Sequence, residues 1–190
     1  MSNKNTQVIA ILDRSGSMHG IMQEAVGALN TFVNEQKASD DTDFTLVAFD
    51  NQFSVVIDKV EINDVQPITV DMVAPRGMTA LYDAIGKAIT QADQDRDTVL
   101  IIQTDGHENC SREWTKEGVS KLIEEKQALG WDISFVGAGL DQATVQKMSG
   151  GMSIDSAKSF AFSGDAEGMR NYSASMSATT NLYKQSKVDK

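Results

Sequence analysis

The chain has 190 residues, 41% of them apolar and 23% charged, with a formal charge of −10. That length suits one domain with a continuous core, and the composition excludes disordered, collagenous and coiled-coil classes. No Lys/Arg cluster stands out that could release counterions from phosphates, so nucleic acid is excluded as a partner and the acidity fits cations or basic surfaces.

Val8-Ile9-Ala10-Ile11-Leu12 is a continuous apolar run, the pattern of a central parallel strand covered on both faces. Asp13-Arg14-Ser15-Gly16-Ser17 follows as a tight loop in which Ser15 and Ser17 alternate with Arg14 and Gly16, so both hydroxyls can turn to one side. Gly16 is expected to give that turn conformational room. Met22, Ala25, Val26, Leu29 and Val33 then share one helical face. Asp40-Asp41-Thr42-Asp43 reads as a polar loop before a strand at Phe44 to Phe49. Only Asp50-Asn51-Gln52 separates it from Phe53-Ser54-Val55-Val56-Ile57, and so short a link permits only an antiparallel hairpin.

Leu81, Ile85, Ala88, Ile89 and Ala92 mark a second helix, and Val99-Leu100-Ile101-Ile102 a second central strand. A third helix is expected over about 113–129, with Val119, Leu122, Ile123 and Leu129 inward and Gly130 ending it. Trp131 to Val136 gives a strand, residues 141–148 a short helix, Ser149-Gly150-Gly151 a turn and Phe160-Ala161-Phe162 an edge strand. The last helix is expected from about Asp165, capped by Asp165 or Ser163, to Tyr183, with Met169, Tyr172, Met176 and Tyr183 as its core stripe. Residues 1–5 and 186–190 read as frayed ends.

This order predicts one α/β domain over residues 1–190, ordered over about 6–185. Its sheet is a doubly wound, mostly parallel, six-stranded, Rossmann-like one with one antiparallel edge strand and helices on both faces. Ligands of such sheets bind beyond the carboxyl ends of the strands, where the winding reverses, and Asp13 and Asp105 each follow a central strand at that edge. With Ser15, Ser17 and Thr79 they make two carboxylates and three hydroxyls. Hard cations such as Mg²⁺ take oxygen ligands and are usually held through few carboxylates. Neutral ligands leave positive charge on such an ion, so the site should attract an anionic oxygen from outside.

These residues carry a resemblance. The chain resembles a von Willebrand factor type A domain with a metal-ion-dependent adhesion site: Asp13-Arg14-Ser15-Gly16-Ser17 matches the D-x-S-x-S element, Thr79 in Gly77-Met78-Thr79 the isolated threonine, and Asp105 in Thr104-Asp105-Gly106 the distal aspartate. The resemblance implies that Ser15, Ser17 and Thr79 touch the ion by their hydroxyls, that Asp13 and Asp105 bind it directly or through water, and that a partner's Asp or Glu completes the shell. Mg²⁺ is the expected metal, with Mn²⁺ or Ca²⁺ as alternatives. Met78 stands where many relatives carry glycine, as a rim contact or a cover for the loop. Stand-alone bacterial and phage members are the most similar kind, which implies assembly or regulatory roles; the partner and oligomeric state are not readable.

Other signals are weaker. Ser17 and Thr79 could be mere helix caps. Asp93-Gln94-Asp95-Arg96-Asp97 fails as a calcium loop, because Thr98 and Thr104 stand where glycine and glutamate are required. Gly137-Ala138-Gly139-Leu140-Asp141-Gln142 lacks the third glycine of a dinucleotide fingerprint, and Leu81 stands where a phosphate loop ending at Gly86-Lys87 needs glycine. A metal-dependent phosphoester hydrolase with Asp13 as nucleophile would need a carboxylate at Ser15. His19 and His107-Glu108-Asn109 keep that enzyme as an alternative, and a structural assembly subunit with a passive metal is another. Cys110 is the single cysteine, so no internal disulfide forms. No segment approaches the ~18 apolar residues of a membrane span, and the first residues lack a signal peptide's apolar run, so cytoplasmic residence is expected.

Overall fold

A computed structural model describes residues 6–37, 41–162 and 166–188. Six strands, β1 (Thr6–Asp13), β2 (Thr42–Phe49), β3 (Phe53–Glu61), β4 (Asp97–Thr104), β5 (Asp132–Ala138) and β6 (Ser159–Phe162), stand in the order β3-β2-β1-β4-β5-β6. Only the β2/β3 pair is antiparallel, as its short link requires. Every residue of β1 is buried, which the apolar run demands of a strand with neighbours on both edges and helices on both faces.

The helices are α1 (Met22–Gln36), α2 (Leu81–Gln91), α3 (Lys116–Ala128), α4 (Gln142–Gly150) and α5 (Ala166–Val188). α1 and α5 cover one face, where Phe32, Phe44 and Phe162 are fully buried; α2, α3 and α4 cover the other, around Ile85, Ile102, Ile123 and Phe135. Burying each such side chain contributes roughly 1.5–3 kcal/mol. The chain leaves β1 through α1 to β2 on one side and later returns through α2 to β4 on the other, so the winding reverses between β1 and β4. The fold class expected from the pattern is therefore the one formed.

Several local expectations need correction. Thr42 and Asp43 belong to β2, where Arg96 binds the Asp43 carboxylate at 3.0 Å. β3 runs to Glu61, four residues beyond Ile57. α3 starts three residues later than expected because the Thr115 side chain caps it, accepting from Gly118 N, while the amides of Arg112, Glu113 and Trp114 turn to Asp83. Leu129 is 71% exposed instead of inward, since it follows the last turn of α3 and Gly130 then reverses the chain at φ +89°. α4 runs through Gly150, and α5 continues through Ser186 to Val188. Tyr172 and Met176 are buried as expected and Tyr183 packs partly buried; the candidate caps Ser163 and Asp165 and the Met169 side chain lie outside the described residues.

Candidate metal centre

Asp13 ends β1 fully buried. Its Oδ1 accepts from Ser15 N at 2.7 Å and its Oδ2 from Thr104 Oγ1 at 2.5 Å, so the neighbouring strand fixes the carboxylate from one side and its own loop from the other. The alternation read from the sequence holds. Ser15 Oγ and Ser17 Oγ lie 3.1 Å apart, while Arg14 turns the opposite way, with Nε 3.2 Å from Asp50 Oδ2 and Nη2 2.9 Å from Ser54 Oγ. Ser17 is exposed, and its hydroxyl donates to Asp105 Oδ1 at 2.8 Å, bridging the loops after β1 and β4.

Thr79 enters from a third loop. A Cβ built on Gly106 would stand 3.7 Å from Ser17 Oγ and 3.9 Å from Thr79 Oγ1, so all three loops border one small space. Asn109 holds the threonine there: its Oδ1 accepts from Thr79 N at 2.9 Å and its own N donates to Thr79 O at 3.0 Å. Neither Ser17 nor Thr79 caps a helix, because the residue before α1 is Ile21 and the one before α2 is Ala80, neither with a side-chain cap.

Gly16 does not need a positive φ. A Cβ there would meet only Gly77 O, at an ordinary 3.6 Å, so the structure shows no need for the expected conformational room; Gly16 N donates to Gly77 O at 3.1 Å, and the left-handed residue is Gly77 itself at φ +70°. A Cβ on Gly77 would collide with Asn51 Oδ1, so only glycine suits the turn into Thr79. Arg76 N donates to Arg14 O at 2.7 Å and Ala80 N to Asp50 O at 3.0 Å. These loops are sewn together by backbone hydrogen bonds.

Sequence reasoning missed Asp50. It is 1% exposed and gathers Arg14 Nε at 3.2 Å, Arg76 Nε at 2.7 Å and Gln52 N at 2.6 Å, so one buried carboxylate ties together the loops carrying Ser15 and Thr79. The signal was available: like Asp13, it closes an apolar strand at the same edge of the sheet. Thr104, in sequence only a neighbour of Asp105, is likewise a partner of the Asp13 carboxylate. Glu108, set beside the candidate base His107, is occupied by Tyr82 N at 3.1 Å, Cys110 N at 2.8 Å and Ser111 N at 2.5 Å.

The two site carboxyls are electrostatically uncomfortable. Burial pushes Asp13 above the ordinary carboxylate range despite the hydrogen bonds from Thr104 and Ser15, and the Asp105 charge adds to the rise. Burial also raises Asp105. Among the described residues no group of three or more His, Cys, Asp or Glu gathers, so a cation held here would need neutral oxygen ligands beside its carboxylates. The donors that converge are all oxygen, two of them carboxylates that a nearby positive charge would stabilise; this set fits a hard divalent cation and offers nothing to a soft one.

A family profile described as von Willebrand factor type A domain matches residues 8–108, which include all five residues above. The chain belongs to the von Willebrand factor type A domain family. Among solved structures it resembles the vWF domain of a type V pili tip protein from Porphyromonas gingivalis, at 11% identity and TM-score 0.69, covering 100% of this chain and 97% of that one. It also resembles proximal thread matrix protein 1 from the mussel byssus with a zinc-occupied MIDAS motif, at 18% identity and TM-score 0.65, covering 90% of this chain and 46% of that one. The chain thus spans under half the length of the mussel protein. A pilus adhesin from Lactobacillus rhamnosus GG is similar at 10% identity and TM-score 0.73, covering 97% of this chain and 31% of that one. No curated protein matches the chain in sequence.

Proposed function

We propose that the chain is a non-enzymatic, divalent-metal-dependent protein-binding module. Asp13, Ser15, Ser17, Thr79 and Asp105 hold Mg²⁺, with Mn²⁺ or Ca²⁺ as possible replacements, and an Asp or Glu of a protein partner supplies a further ligand. The bound ion's contribution is positive charge that few protein carboxylates offset. The chain's own residues do the rest: Thr104 and Ser15 N orient Asp13, Asn109 positions Thr79, and the Asp50 ion pairs hold the loops in register.

One observation carries the reading. Three loops bring two raised carboxyls and three hydroxyls to one small space at the switch point of the sheet, with Ser17 Oγ 3.1 Å from Ser15 Oγ and 2.8 Å from Asp105 Oδ1. Hydrolysis is disfavoured because Ser15 stands where a general acid is needed and Glu108 is occupied by amide donors. The zinc-occupied MIDAS motif of the mussel protein supports the same reading.

The test is capture from the native host with the wild-type chain in Mg²⁺ and in EDTA, beside a Ser15→Ala/Ser17→Ala variant. A protein retained only with metal, and only by the wild type, is expected. Equal retention in EDTA contradicts the reading, and Mg²⁺-dependent phosphatase turnover abolished by Asp13→Ala would replace it with the hydrolase. A stand-alone bacterial or phage origin and a cytoplasmic location belong to the same proposal. No helix among the described residues is long and apolar enough to cross a membrane.

A further inference from the structure

The loop after β4 borders the metal centre at Gly106, and its next residue, His107, lines a cavity of about 160 Å³. Leu81, Met148 and Met152 supply its apolar surface, and Lys116 and Lys147 its charge. The chain carries a net −10, yet neither lysine has an ion pair among the described residues. Glu108, the carboxylate in the lining, is taken up by the amides of Tyr82, Cys110 and Ser111 and by the Ser111 hydroxyl at 2.6 Å. Glu117 faces Tyr82 from outside the lining.

The placement of Lys116 has no explanation in its own helix. It is the first residue of α3, where the macrodipole disfavours a cation. Instead its ammonium reaches across to α4: Nζ is 2.7 Å from where a Cβ on Gly151 would stand, and Lys147 O lies 3.3 Å from that same point. Lys147 occupies the last turn of α4. Two lysines from different helices are therefore brought to one end of α4, beside an apolar floor, in a cavity whose His107 lies two residues beyond the proposed ligand Asp105.

We propose that this cavity is a second anchoring subsite for the partner, taking an acidic protein segment: beyond the carboxylate that meets the metal, a second Asp or Glu lies between Lys116 and Lys147, and an apolar side chain rests on Leu81, Met148 and Met152. The inference rests on the metal-dependent reading above. An extended chain advances about 3.3–3.6 Å per residue, so second carboxylates set two to four residues from the first sample spans of about 7–14 Å.

The test uses two labelled hexapeptides, one with a single Glu and a Leu and one with a further Glu two to four residues along, titrated by fluorescence anisotropy in Mg²⁺ and in EDTA. Exposed ion pairs are individually weak, so the diacidic peptide is expected to bind the wild type about fivefold tighter than the monoacidic one. Lys116→Ala/Lys147→Ala, which alters only exposed side chains, is expected to abolish that ratio while leaving the monoacidic peptide's metal-dependent binding intact. Equal binding of the two peptides by the wild type overturns the subsite alone, as does a ratio that survives in the double variant. Self-association of the wild type, lost in the double variant without any diacid preference, assigns the cavity to a second copy and overturns it too. Monoacidic binding that is indifferent to EDTA, or no binding of either peptide at millimolar concentration, overturns the metal reading beneath it.

Discussion

Asp105 is half-buried, and burial holds its carboxyl above the ordinary range although Ser17 Oγ donates to it. For an acid raised on folding, the folded state binds more protons between the unfolded and folded values; stability falls as pH rises through that window, and the loss persists at neutral pH. Asp105→Asn removes that cost. It is expected to melt at or above the wild type in EDTA, and below it in millimolar Mg²⁺, where the wild type alone gains from the ion. An equal loss in both media would make Asp105 merely structural. Asp50 acts through its ion pairs, its carboxylate lying buried between Arg14 and Arg76. Asp50→Ala leaves Arg14, 8% exposed, without its charge partner, and urea unfolding should show a loss of about 3–5 kcal/mol. A loss within the ~0.5 kcal/mol of an ordinary surface change would show that the Asp50 pairs do not hold the loops.

Among the elements, α5 is docked by polar contacts as well as by the buried Tyr172 and Met176. Ser173 Oγ donates to Ala28 O at 3.2 Å, Ser177 pairs with Glu35, and Tyr183 OH donates to Gly130 O at 2.8 Å while accepting from Thr98 N at 3.2 Å. The Met/Tyr stripe gave no hint of this, because serines and threonines on a helix read as a solvated face until the partner helix is known. Lys184 is the strained member: burial pushes its ammonium down to about 8, while Nζ donates to Gln36 Oε1 at 2.9 Å. Between about pH 8 and 10.5 the unfolded chain then binds more protons than the folded one, so stability rises with pH across that window. Lys184→Met is expected to flatten the rise in melting temperature from pH 7.5 to 10. An unchanged slope would mean that the lysine is solvated. Gly86, which fails as part of a phosphate loop, has a packing role: the Trp114 ring fills the place its Cβ would take.

For the whole molecule, continuous apolar runs and helical periodicities made the sheet and its helices legible, since two-sided burial leaves few alternatives at Val8 to Leu12 or Val99 to Ile102. The five proposed ligands were read from motif spacing, and four of them, Asp13, Ser15, Ser17 and Asp105, also from a place at the ends of β1 and β4; Thr79 instead lies just before α2. Asp50's place at the end of an apolar strand was legible too; its pairing with Arg14 and Arg76 was not, because a buried ion pair has the same letters as a surface one. The winding that reverses between β1 and β4 is what lets Asp13 and Asp105 face the same space. The most direct measurement is the melting temperature of the wild type and of Ser15→Ala/Ser17→Ala against Mg²⁺ concentration. An ion at ten times its dissociation constant stabilises by about 1.4 kcal/mol, roughly 3–6 °C for a chain of this size. The wild type should rise by that order and the variant stay flat; a wild type unmoved by millimolar Mg²⁺ or Mn²⁺, or a variant that rises equally, would contradict the metal centre.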